Sequence, residues 1–176
     1  PELKKAFIVH IGRDSDKNGH IIWMCSSTGF YKMNAEGQVL ERFWSGGTGD
    51  NWLPFDNFYH FHQDKEGVFW LGTAGGGLLR WNPRSPSGVG GGEKQLFSRK
   101  NGLLNGFVYA VYEDDFGHLW LPTDYGIAQF DKKNGSVRRT WFPPDGLAQY
   151  EFNRTSHYRG EDGTLYFGGL NGVTAF

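Results

Sequence analysis

The segment Trp44-Ser-Gly-Gly-Thr-Gly-Asp-Asn-Trp-Leu-Pro-Phe-Asp-Asn57 sets two aromatic rings, Trp52 and Phe55, among Asp50, Asn51, Asp56 and Asn57. An aromatic face can lie against the apolar face of a sugar ring, while neighbouring carboxylates and amides take its hydroxyls. Asn101, Asn105, Tyr150, Glu151, Asn153 and Arg154 hold similar places further along the chain. From these segments Asp50, Trp52, Phe55, Asn57, Asn105, Tyr150, Glu151 and Arg154 are candidate ligand-binding residues, and His60 joins them. Each is also compatible with ordinary loop structure.

Other groupings point to no catalytic centre. Asp14-Ser-Asp-Lys-Asn-Gly19 opens like a calcium loop, with alternating oxygen ligands and a Gly for the sharp turn. Its ninth and twelfth positions, however, are Ile22 and Cys25, where ligands should stand, so a plain turn between two strands is the expectation. His60 and His62 are two apart on one strand, and two histidines alone do not make a metal site. His10, His20, His118 and His157 have no His or Cys partner at metal-ligand spacing. Gly75-Gly-Gly77 lies between strands and not before a helix, so it is a turn and not a phosphate cradle. No nucleophile elbow or phosphate loop occurs. No pair of carboxylates is singled out by spacing as a glycosidase pair would be. No metal, cofactor or catalytic residue is expected.

The elements that carry these residues are legible from composition and repetition. Gly is 27 of 176 residues and aromatics are 17%. Many tight turns beside many packed rings argue for short strands in an all-β protein. Aligned on itself, the chain shows one motif four times: an apolar strand, an acidic residue, a Gly turn, an aromatic strand and a second Gly turn. The copies run Phe7–Asp14 with Gly19, Trp23 and Gly29; Phe58–Asp64 with Gly67, Trp70, Thr73 and Gly76; Val108–Asp114 with Gly117, Trp120, Thr123 and Gly126. The fourth is His157-Tyr-Arg with Gly163, Tyr166, Gly169 and Gly172. The motif aromatics are 47, 50 and 46 residues apart, and a Gly follows each by six positions. A period near 45–50 residues is that of a propeller blade.

The fold class is therefore all-β: a β-propeller fragment of about four four-stranded antiparallel blades, at residues 7–44, 57–98, 107–143 and 153–176 of a single partial domain. In the third copy the strands are expected at Val108–Asp114, His118–Thr123, Ile127–Asp131 and Ser136–Phe142, with Asn134-Gly135 as a favoured hairpin turn. Trp23, Trp70 and Trp120 are expected to be packing core. Pro83–Gly92 reads as a surface loop. The fourth copy ends after its third strand, and Leu3–Ala6 is a short candidate for the strand that would complete it.

Val108-Tyr-Ala-Val-Tyr-Glu-Asp-Asp-Phe-Gly-His-Leu-Trp-Leu-Pro-Thr-Asp-Tyr-Gly126, Gly67-Val-Phe-Trp-Leu-Gly-Thr73 and Gly163-Thr-Leu-Tyr-Phe-Gly-Gly-Leu-Asn-Gly172 resemble the two-component regulator propeller repeat of bacterial sensor proteins. The resemblance extends over nearly the whole chain. It implies blades of a seven-bladed ring on the periplasmic side of the inner membrane, with Asp145-Gly-Leu147 onward similar to the final blade. Ser26 stands where two other copies have Thr, and the fourth copy lacks the Asp.

Net charge is −1 and basic residues are scattered, which gives no electrostatic footprint for nucleic acid or an anionic membrane surface. Cys25 is alone, so no internal disulfide forms. No apolar run approaches the roughly 20 residues that span a bilayer. No signal-peptide pattern opens the chain, so membrane attachment is expected only through domains outside it. The expected function is a non-catalytic, periplasmic sensing module that binds a small molecule or oligosaccharide. Self-association through blade edges or propeller faces is expected as well. Two alternatives stay open: a propeller enzyme of the streptogramin-lyase type with a His base such as His60, and an interaction or dimerisation scaffold.

Overall fold

A bond between an acidic residue and an indole recurs in three of the four repeats. In the second copy the Asp64 carboxylate accepts the Glu66 and Val68 backbone N–H groups at 3.1 and 3.0 Å through one oxygen. Its other oxygen accepts the Trp70 indole N–H at 3.0 Å. Asp114 does the same for Phe116, His118 and Trp120, at 3.0, 2.8 and 3.0 Å. In the first copy Trp23 donates to Asp14 at 2.8 Å. Burial alone would raise the Asp114 carboxyl, but these donors hold it below the usual carboxylate range.

The computed structural model describes residues 2–14, 20–85 and 91–176. Most of the calcium-like segment (15–19) and part of the Pro/Gly-rich loop (86–90) lie outside the described residues. The fold is all-β and of the β-propeller class, built from four antiparallel sheets in meander order. The first sheet holds β1 (Ile8–Arg13), β2 (Ile21–Ser26), β3 (Gly29–Asn34) and β4 (Val39–Phe43). The second holds β5 (Phe58–Gln63), β6 (Phe69–Thr73), β7 (Leu78–Asn82) and β8 (Glu93–Phe97). The third holds β9 (Tyr112–Glu113), β10 (His118–Pro122), β11 (Ile127–Asp131) and β12 (Ser136–Trp141). The fourth has three strands, β13 (His157–Arg159), β14 (Leu165–Gly169) and β15 (Gly172–Ala175).

The chain divides into two compact units, Pro1–Leu71 with Leu79–Gln95, and Gly72–Leu78 with Leu96–Phe176. In the first, an aromatic core joins the facing sheets: Trp23, Phe30, Phe43, Phe58, Phe69 and Trp81 are all buried. Trp23 stacks on Phe30 at 4.9 Å and meets the edge of Phe69 at 4.7 Å. In the second, Ala110, Ile127, Leu147, Phe152, Leu165 and Phe167 form the core, and Phe176 packs on Trp120 at 4.7 Å. The motif Trp residues thus serve packing.

Three local expectations need correction. Leu3–Ala6 is not a strand: a 3-10 turn runs Glu2–Lys5. The first strand of the third sheet shrinks to Tyr112–Glu113 plus an isolated bridge from Val108 to Thr123. Pro122 accepts from the Tyr109 N–H at 2.9 Å but has no N–H to return, so the ladder is interrupted there. Asn134-Gly135 is not a two-residue hairpin turn, because only Gly135 has a positive φ. The Asp131 carboxylate instead holds the N–H groups of Lys133 and Asn134 at 2.8 and 3.1 Å, giving a longer loop.

Each linker also repeats. A 3-10 turn at Gly49–Asn51, Arg99–Asn101 and Pro143–Asp145 is followed two residues later by buried Leu53, Leu103 and Leu147. A second recurring bond closes the turn after the second strand. The Thr73 hydroxyl donates to the Gly77 carbonyl at 2.8 Å and accepts from Gly76 N–H at 3.0 Å. Thr123 and Ser26 do likewise, so Ser for Thr changes nothing in this role. The fourth sheet has Gly169 there, and the gap is filled from elsewhere: the Gln149 amide accepts from Asn171 N–H at 2.6 Å and donates to Gly172 at 3.4 Å. A side chain at Gly169 would collide with that amide.

Gln149→Ala should therefore cost about 1–3 kcal/mol, the penalty for buried groups left unpaired. Gly169→Thr alone should also destabilise. The double variant should recover much of the loss, since the hydroxyl then replaces the amide. Chemical denaturation of all four proteins measures this; strictly additive losses would refute the exchange. A second prediction concerns pH. Burial pushes His157 below the ordinary histidine range, opposed by a backbone contact at Arg154, and its Nδ1 lies 2.8 Å from the Tyr112 hydroxyl. Burial likewise raises Tyr112 to about 12, against the charge of Arg159. The unfolded chain takes up the His157 proton near pH 6.5 and the folded chain only lower. Stability from this group is thus full above about pH 6.5 and falls as the medium is acidified towards the folded value. His157→Gln should flatten that slope, read as denaturation midpoints between neutral pH and pH 5.

Candidate functional site

In the first unit, the linker from β4 to β5 is held by its own polar groups. Trp44 N–H donates to the Asn51 carbonyl at 3.2 Å, and Leu53 N–H returns to Trp44 at 3.1 Å. The Ser45 N–H and hydroxyl both donate to the Asp56 carboxylate, at 2.8 and 3.0 Å. The Arg42 guanidinium lies 4.5 Å from the Trp44 ring while donating to the Thr28 carbonyl. Gly47 is required, because a β-carbon there would run into the Asn51 backbone. Buried Leu53 anchors the segment, and Trp52 is left 40% exposed.

Trp52 occupies the position that Gly102 and Gly146 take in the later linkers, where φ is 90° and 107°. Its own φ is −84°, so the large side chain sits without backbone strain. The Lys94 ammonium lies 5.6 Å from its ring centre and donates to the carbonyls of Gly91 and Gly92 at 3.1 and 3.3 Å. Burial lowers the Lys94 pKa and the Asp50 carboxylate pulls it back up. Gly91 packs so closely on the Asp50 backbone that no β-carbon fits between them. Its carbonyl also takes the Trp81 indole N–H at 2.7 Å.

Asp50 stands at the rim of a cleft of about 590 Å³ between the first two sheets. This volume is in the range of small-molecule sites. Its floor is formed by the buried rings of Trp23, Phe69 and Trp81. Its walls carry groups of both signs, among them Asp14, Lys32, Glu41 and Arg84. Antiparallel register places Trp23, Lys32 and Glu41 side by side on three successive strands. Lys32 and Glu41 form an ion pair at 3.2 Å, and the ammonium is 5.9 Å from the Trp23 ring.

The sequence-derived residues separate. Asp50 lines the cleft, Trp52 lies against Lys94, which bonds the Gly91 and Gly92 carbonyls of the cleft wall, and Phe55 packs against the aromatic core. Asn57 is half-buried on the linker just before β5. His60 is buried, its ring 4.0 Å from that of His10, a pairing across two strands that sequence spacing could not reveal. In the second unit Asn105 accepts from Phe107 N–H at 2.7 Å, which is a turn contact. Tyr150 stacks on Tyr125 at 5.1 Å, both half exposed, while Glu151 and Arg154 lie on the surface. Sequence reasoning missed Lys32 and Glu41; their only signal was register with Trp23. Among the described residues no group of three or more His, Cys, Asp or Glu could hold a metal ion.

Comparisons place this arrangement. A "histidine kinase P4" of Formosa agariphila is 32% identical over 76 residues, which is 43% of this chain and 6% of that protein. The extracellular domain of the BT4673 system of B. thetaiotaomicron superposes with a TM-score of 0.71 over 97% of this chain at 19% identity. PorZ, a surface component of the type-IX secretion system of Porphyromonas gingivalis, gives 0.62 over the same share at 14% identity. The chain spans 24% and 26% of those two structures and a far smaller part of the kinase, and the structural likeness concerns the fold. Residues 53–75 and 102–121 match the two component regulator propeller family, each match running from the linker into the second strand of a sheet. The second and third blades thus each carry a stretch that matches the two component regulator propeller family.

Proposed function

We propose that this chain is the ligand-binding part of a non-catalytic sensor module in a bacterial signalling protein, that it works outside the cytoplasm, and that its ligand is an oligosaccharide. The family repeat and the likeness to part of a histidine kinase support the signalling role. The extracellular domain among the structural neighbours supports the location. Among the described residues no helix is long and apolar enough to cross a membrane, so attachment is assigned to other domains of the protein.

One observation carries the ligand class. Trp52 presents a half-exposed indole where two other linkers have Gly, two residues on from Asp50, which lines a cleft with polar groups on its walls. Leu53 supplies the buried anchor of the linker, and the Trp52 ring lies against the Lys94 ammonium with 40% of the residue exposed. A flat ring flanked by hydrogen-bonding groups suits a pyranose, which presents an apolar face and a hydroxylated edge. A thermal-shift screen against oligosaccharide classes should return one class that stabilises the chain. Trp52→Ala should weaken that binding roughly tenfold, the scale of one aromatic contact, with little change in unliganded stability. A flat response from folded protein would remove the sugar reading.

Self-association is a second reading, favoured by a specific feature of each unit. The first unit exposes Phe7, Ile8 and Ile11, and the second exposes Tyr158, Leu170 and Val173. Exposed apolar side chains of this kind favour pairing with other chains. Light scattering should give a mass above one chain at micromolar concentration, and Ile11→Lys with Val173→Lys should return it to the monomer. A monomeric parent chain would sink this reading.

A further inference from the structure

We infer that the cleft between the first two sheets is a binding subsite for a neutral sugar unit, with Lys32 and Glu41 reading its hydroxyls and Trp52 holding the next unit at the rim. This rests on the oligosaccharide reading above and extends it to residues outside the linker. The cleft is large enough for a small ligand, and it has wall groups of both signs. Three carboxylates (Asp14, Glu41, Asp50) and two cations (Lys32, Arg84) line it, with Lys32 already paired to Glu41, which is no pattern for a strongly charged ligand. What they offer is donors and acceptors in alternation, which is what vicinal hydroxyls require: the ammonium donates, the carboxylate accepts.

The geometry adds a direction. Lys32 and Glu41 are held by strands β3 and β4 and remain partly exposed, at 29% and 43% of their side chains, so both can turn to a ligand without unfolding the sheet. The floor rings Trp23 and Trp81 are buried and already hydrogen-bonded, to Asp14 and to Gly91. They shape the cleft without presenting a stacking face. The exposed ring is Trp52, 5.6 Å from the Lys94 ammonium, which bonds the Gly91 and Gly92 carbonyls of the cleft wall. A chain of at least two sugar units would therefore pass from the Trp52 ring into the cleft, with Asp50 between them.

The indole N–H signals of Trp23, Trp81 and Trp52 in the ¹⁵N-labelled chain report on floor and rim separately. Cellotriose and maltotriose serve as neutral probes and trigalacturonate as a charged one. Movement of the Trp23 and Trp81 signals together with Trp52 on adding a neutral trisaccharide supports the subsite. Lys32→Met and Glu41→Gln should then each weaken binding roughly tenfold, the scale of a hydrogen bond to a charged group. Movement of Trp52 alone, or unchanged affinity in both variants, overturns the subsite and leaves the sugar reading standing. Floor signals that answer only to trigalacturonate overturn the neutral ligand. Silence of all three indoles with both neutral sugars at millimolar concentration overturns the subsite and the sugar reading together.

Discussion

The bond between a turn aspartate and a motif indole organises this chain. One carboxylate satisfies two backbone N–H groups of a tight turn and one indole N–H from the following strand. Three groups that would each be costly to bury unpaired are settled by a single side chain. The indole can then enter the core with no polar atom left over, and its ring becomes the surface on which the neighbouring sheet packs. Turn geometry, strand pairing and inter-sheet packing are fixed together by two residues six to nine apart.

The fourth copy shows how tightly these two residues are coupled. Its turn keeps the same backbone bonds, from Gly160 N–H to Thr164 and from Gly163 N–H to Gly160. Gly160 replaces the Asp, and Tyr166 replaces the Trp, so donor and acceptor disappear together. Asp162, two residues on, accepts from Thr164 N–H at 3.0 Å, and these backbone bonds hold its pKa down. A β-carbon at Gly160 would press on that carboxylate. The same logic of exchange governs Gln149 and Gly169. In both places the repeat keeps the hydrogen bond and lets the residue that makes it change.

This explains what could be read in advance. Asp, Gly and Trp at fixed offsets are local consequences of the turn, so the four copies and most strand positions were legible from spacing, while the family came from resemblance in three stretches. Register between strands is non-local, and with it went Lys32, Glu41 and the His10–His60 contact, none of which stands at a telling distance in the chain. The interrupted first strand of the third sheet was hidden for another reason: Val108–Val111 has full strand character, and the fault lies in Pro122 on its partner. The linkers looked irregular because their repeat is a single buried Leu after a 3-10 turn, a signal too sparse to stand out beside the Trp motif. Trp52 was noticed as an exposed aromatic, but its significance depends on the alignment of the linkers, which sets it against two glycines.

That position also bears on where binding can arise in such a repeat. A residue that satisfies the turn or fills the core has no freedom to meet a ligand, which is why Trp23, Trp70 and Phe55 are spent on packing. The position before the anchoring Leu is free of both duties: a Gly serves there twice, and a Trp serves as well without backbone strain. The backbone on either side is already tied by Trp44, Asn51 and Leu53, so a ring placed there is held before any ligand arrives. Little ordering of the linker backbone is then left for the binding step to impose, which preserves the affinity of a modest contact. Under the proposed sugar-binding role, variation in ligand preference between such repeats should concentrate at this linker position and along the cleft walls, where side chains can change without disturbing the carboxylate–indole bond.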